Sequence, residues 1–105
     1  MKKTLLLSFA LVSGVANAQL VTCTDYIKSI DMQSDGNVWI YPERHETIEL
    51  EPTHKDFYEY LGIMYYAMQN NKKVVYTSDN GEGSNKCHDA TESLFPLYEI
   101  IRVTN

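Results

Sequence analysis

The chain has no long apolar run, few basic residues, two cysteines and three prolines, and each scarcity excludes something. Its longest apolar stretch, Leu5 to Val12 interrupted by Ser8, is too short for a permanent membrane span. Nine Lys and Arg against fourteen Asp and Glu give a formal charge of −5, so no basic stripe exists to displace phosphate counterions. Nucleic acid is not an expected partner, and charge offers no attraction to an anionic membrane surface. No H-E-x-x-H and no zinc-type Cys/His spacing is present. His45 with Glu43, Glu46 and Glu49 supplies metal-binding residue types, but an exposed acidic strand edge accounts for them. His88, Asp89 and Ser93 have the residue types of a nucleophilic triad without a nucleophile-elbow sequence. Gly81 and Gly83 lack a following Lys-Ser/Thr, so no phosphate cradle is read. No catalytic residue, metal or cofactor is called for, and an enzyme is not expected.

The N-terminal residues carry an export pattern. Met1-Lys2-Lys3 is a basic opening, Leu5 to Val12 an apolar centre, and Ala16-Asn17-Ala18 a small-x-small cleavage signal. Cleavage after Ala18 places the mature chain, Gln19 to Asn105, in the periplasm or outside the cell. Cysteine does not follow the cleavage site directly, as lipid attachment would require. The 87 residues that remain suit one small domain, and without Lys2 and Lys3 their formal charge is −7. In an exported chain the two cysteines are read as a disulfide, Cys23 to Cys87. The alternative, a redox-active pair, lacks a C-x-x-C spacing.

One substantial helix is expected, running from about Thr53 to Asn70. Phe57, Leu61, Met64, Tyr65 and Met68 recur at helical spacing and form the expected buried stripe, with Tyr60 and Ala67 on one flank and Tyr58 on the other. Thr53 is the expected cap, with Asp56 three residues on, and Asn70-Asn71 before two lysines is the expected end. Around it the chain reads as strands: Leu20 to Met32, bent near Asp25; Val38 to Tyr41 after an Asp35-Gly36 hairpin signal; and His45 to Leu50. Lys73 to Ser78 and Leu97 to Val103 follow the helix. Asp79 to Lys86 is a loop by composition, and Asp89 to Phe95 admits a single helical turn.

The order β-β-β-α-β-β is that of a β-rich α+β protein. Five strands with one helix between the third and fourth is the layout of an OB-fold, a small Greek-key barrel capped by its helix. An open antiparallel sheet with the helix laid across it has the same order.

The export signal, the early Cys23, the Asp35-Gly36 hairpin, the helix running into Asn71-Lys72-Lys73-Val74-Val75-Tyr76, the later Cys87 and the closing apolar strand together carry a resemblance. The chain resembles the small exported OB-fold proteins of Gram-negative bacteria, which include B subunits of pentameric toxins of the enterotoxin and subtilase-cytotoxin kind. The likeness covers nearly the whole mature chain in layout, and in identities rests on Ala67 to Tyr76 and the two cysteines. It implies a five-stranded barrel and, for the toxin-type members, glycan binding by a homo-oligomeric ring. No sugar-contacting residue is carried over.

Candidate binding residues come from aromatic side chains the core does not clearly need: Trp39, Tyr41 and Tyr66. Trp39 and Tyr41 share one face of their strand and Val38 and Ile40 the other, so one pair faces out, while Trp39 as the main core residue is the competing reading. Tyr66 falls away from the helix's apolar stripe. Exposed rings favour sugar or protein partners, because a flat ring buries area at small entropic cost. Two functions are expected: a secreted, glycan-recognising subunit, or a periplasmic interaction or inhibitor protein using the acidic loop Asp79 to Lys86.

Overall fold

The structure is a computed structural model describing residues 20–79, 87 and 94–105. The export segment, nearly all of the Asp79 to Lys86 loop, and His88, Asp89 and Ser93 lie outside the described residues. Those described form a sheet-rich α+β fold: β1 (Leu20–Met32), β2 (Val38–Pro42), β3 (Thr47–Leu50), α1 (Phe57–Gln69), β4 (Lys73–Asp79) and β5 (Leu94–Thr104).

The long first strand serves two neighbours. Residues 20–26 of β1 pair antiparallel with β4, and residues 27–32 pair antiparallel with β2 across an irregularity after Ile27. β2 pairs with β3, the start of β5 lies parallel to β3, and the rest of β5 runs antiparallel to β4. The order β1-β2-β3-β5-β4 therefore returns to β1, a closed circuit of pairings.

Alternation then decides the interior. Val21, Cys23, Asp25 and Ile27 of β1 are buried, while Thr22 and Thr24 between them are exposed. Val38 and Ile40 from β2 and Ile48 and Leu50 from β3 meet Val74 and Tyr76 of β4 in the same core. Five consecutive residues of β4, Val74 to Ser78, are buried, as befits a strand flanked by β1 and β5.

The β1–β2 hairpin follows its turn residues. Gly36 NH bonds to Gln33 O, Gln33 NH bonds to Asn37 O, and Gly36 has φ +94°, a conformation that glycine adopts without steric cost. The helix end also follows its sequence. Asn71 is left-handed at φ 53°, Lys72 NH reaches Ala67 O at 2.9 Å, and Asn71 NH reaches Met68 O at 3.4 Å, the pair of bonds that closes a Schellman motif.

The helix start departs from expectation. Helix begins at Phe57, not near Thr53, because Glu51 to Phe57 is taken up by two turns (His54 NH to Glu51 O, Phe57 NH to His54 O). Asp56 occupies the N-cap position and makes no side-chain cap bond. Its own NH instead donates to His54 Nδ1 at 3.0 Å, while His54 Nε2 meets Tyr98 O at 2.7 Å, so the imidazole ties the helix entry to β5. The buried stripe is rotated as well: Tyr60, Met64 and Ala67 are its buried residues, with Phe57, Leu61, Ile63 and Met68 partly buried beside it. The helix lies mainly on β1, with β4 and β5 alongside, and this placement favours the Tyr60–Ala67 side over Tyr65.

Further differences are at strand ends. β2 includes Pro42, β3 begins at Thr47 instead of His45, and β5 begins at Leu94, where parallel pairing with β3 extends it over part of the expected helical turn. Cys23 and Cys87 form the expected disulfide, joining β1 to the connection between β4 and β5 across 64 residues. Closing a loop of that length removes unfolded-state entropy worth about 4 kcal/mol, a large share for so small a core. Replacing both cysteines by alanine, or reducing the bridge, is expected to lower unfolding free energy by about 2–4 kcal/mol in denaturant titration; an unchanged midpoint would show that the bridge adds nothing.

Candidate functional site

Trp39 and Tyr41 sit on the outer face of β2. Val38 and Ile40 are wholly buried and occupy the inner face, so the alternate residues project outward and remain half-buried. Strand register then sets their neighbours. Asp31 of β1, Trp39, Glu49 of β3 and Pro96 of β5 stand in one row across four strands, and Ser29 pairs with Tyr41 in the adjoining row. Trp39 Nε1 donates to Glu49 Oε2 at 3.4 Å, and Asn37 Nδ2 donates to the same oxygen at 2.7 Å. The indole is held at its polar edge and remains half-buried. A ring fixed before binding has little rotamer freedom left to lose. Asp31 stands beside Trp39 and Ser29 beside Tyr41, while Asn37 shares the Glu49 acceptor with the indole.

Tyr66 does not join this face. It is about half exposed on α1, which packs against β1, β4 and β5.

A polar cluster that the sequence reading did not assemble lies inside the fold. Asp25, only 4% exposed, accepts Tyr26 NH at Oδ1 and both Arg44 NH and His45 Nδ1 at Oδ2, each at 2.7 Å. His45 and Glu46 are therefore not an exposed strand edge: His45 is half-buried against Asp25, and Glu46 is buried. The Asp-His pair borders space on two sides. His45, Glu46, Tyr76, Ser78 and Cys23 border a small cavity of about 10 Å³, room for about one water. On the outer side Asp25 and His45, with Thr24, Tyr26, Glu43, Arg44 and Lys73, line an open pocket of about 220 Å³, with the Lys73 ammonium 5.4 Å from the centre of the Tyr26 ring. Among the described residues no group of three His, Cys, Asp or Glu side chains is placed to hold a metal ion. The signal for Asp25 was its inward parity among Val21, Cys23 and Ile27; its partners lie about 20 residues away and become visible only once β2 folds back.

Burial raises the Tyr76 phenol far above the ordinary tyrosine range, and the neighbouring Asp25 and Glu46 carboxylates push it the same way. The folded state thus holds this proton more tightly than the unfolded state does. The associated stability is complete below the unfolded tyrosine value of about 10 and is lost as pH rises beyond it. Ultraviolet titration of the native chain should accordingly show one phenolate fewer than the denatured chain, and Tyr76→Phe should flatten the loss of stability above about pH 10. Equal phenolate counts in the two states would contradict a buried, protonated Tyr76.

No protein-family model, curated protein or solved structure matches the chain.

Proposed function

We propose that this is an exported, non-enzymatic binding protein with an OB-fold-type barrel, recognising glycans through the outer face of β1, β2 and β3. The carrying observation is the outward Trp39–Tyr41 pair, with the indole tethered to Glu49 and polar groups around it. Sugar rings present apolar C–H faces rimmed by hydroxyls; a fixed aromatic plane beside Asn37, Asp31 and Ser29 matches both parts. The order β1-β2-β3-β5-β4 with a helix between β3 and β4 supports the barrel assignment, and in such barrels the strand 2–3 face is a common ligand surface. The disulfide is compatible with an oxidising compartment and so supports export after cleavage at Ala18. Assembly into a homo-oligomeric ring belongs to the same reading and rests on the resemblance in layout.

Glycan-array screening of Gln19–Asn105 tests the function. Trp39→Ala should weaken the sugars bound by the native chain by about 2 kcal/mol, roughly thirtyfold, while unfolding free energy changes by about 1 kcal/mol or less. Glu49→Gln should weaken binding less, since it loosens the ring without removing it. Retention of full sugar binding by Trp39→Ala would rule out this face; light scattering across a concentration series reads the oligomeric state separately.

A further inference from the structure

At the helix entry a cavity of about 350 Å³ opens between α1 and β5, lined by His54, Lys55, Asp56, Tyr60, Tyr98 and Glu99. Its size is at the lower end of small-ligand pockets, roughly 300–1,000 Å³. We infer that it is a binding site for an organic cation, an alkylammonium group held over tyrosine rings between two carboxylates.

Three of the six lining residues carry rings: His54, Tyr60 and Tyr98. His54 spends both nitrogens on backbone, accepting from Asp56 NH and meeting Tyr98 O, a pattern that needs the neutral ring with its proton on Nε2. Its ring lies 5.0 Å from that of Tyr60, centre to centre. Tyr60 is 8% exposed, yet among the described residues its hydroxyl has no hydrogen-bond partner, although it lines an open cavity. A phenol hydroxyl beside that space is free to hydrogen-bond a ligand or water. Tyr98, more than half exposed, supplies a further ring at the mouth.

The carboxylates are also unspent. Asp56 is the N-cap residue of α1, where an aspartate normally accepts an N–H of the first turn, but its side chain makes no such bond. Neither Asp56 nor Glu99 has a cationic nitrogen within 4 Å among the described residues, even though Lys55 is next in sequence to Asp56. The lining therefore carries two carboxylates that no cation contacts and one ammonium, Lys55, a net negative charge beside aromatic side chains. Cations are attracted to the ring quadrupole and to the carboxylates together, and the positive end of α1 opposes only part of that attraction. The shared chemistry fits a free amine or a lysine side chain of another protein.

Calorimetry or NMR on the full mature chain tests this with n-butylammonium, choline, a short peptide containing one lysine, and 3,3-dimethylbutan-1-ol, a neutral isostere of choline, at equal ionic strength. At least one of the first three should bind at millimolar concentration and the neutral isostere should not. Asp56→Asn with Glu99→Gln, and separately Tyr98→Ala, should each weaken binding by about threefold to tenfold. Both are substitutions of surface groups, and thermal unfolding checks that each variant stays folded. Peptide binding about tenfold or more tighter than n-butylammonium identifies a protein lysine as the source; comparable or weaker peptide binding identifies a free amine. Absence of binding by all three cations, equal binding of the neutral isostere, or undiminished binding by the carboxylate variant would each overturn the proposal.

Discussion

The structure depends on one buried carboxylate. β1 must leave β4 and take up β2, and Asp25 sits where that transfer occurs: Tyr26 is the last residue paired with β4, and Ile27 the first paired with β2. Its two oxygens collect Tyr26 NH, Arg44 NH and the His45 ring, while Glu43 NH bonds to Tyr26 O. These bonds fasten the point where β1 changes partner to the connection between β2 and β3. A buried acid with no partners would oppose folding, whereas one with three donors fixes a geometry that apolar contacts leave loose. The closed circuit of strands follows, because β3 can reach β5 only if β2 turns back at this point.

Around that point the apolar terms take over. Val38, Ile40, Leu50, Met64, Ala67 and Val74 are wholly removed from water. The disulfide acts on the same strand two residues before Asp25, tethering the long β4–β5 connection. Covalent and polar constraints are thus concentrated on one half of β1, and the helix covers the core from its own side.

Much of the fold was legible because its signals are local. The thirteen residues of β1, the Asp35-Gly36 hairpin and the Asn70-Asn71 helix end each depend on neighbouring residues, and all appear where those residues predict them. The helix entry was not legible. Thr53 and Asp56 form a plausible capping pair, but His54 finds Tyr98, 44 residues away, and the turns this contact accompanies outcompete another turn of helix. The candidate face was legible by halves: alternation placed Trp39 with Tyr41, but both faces of β2 carry large apolar side chains, so only pairing with β1 and β3 decides which points inward. The Asp25–His45 contact had no local signal, since acidic residues near His45 in sequence competed with the true partner 20 residues earlier.

The two proposed surfaces share a physical device. In each, the polar atoms of a ring are occupied by fixed partners from the chain itself: Glu49 holds the indole N–H of Trp39, and backbone groups take both nitrogens of His54. What such a ring still offers a ligand is its face. The difference between the sites lies in the neighbouring charge. Glu49 is engaged by two donors, so the face beside it meets a ligand largely through ring surface, amide and hydroxyl groups. Asp56 and Glu99 are engaged by none among the described residues, and it is on these carboxylates that the proposed cation site rests. An acidic chain can thus present a neutral recognition surface in one place and a cation-selective one in another, according to where its carboxylates are already spent.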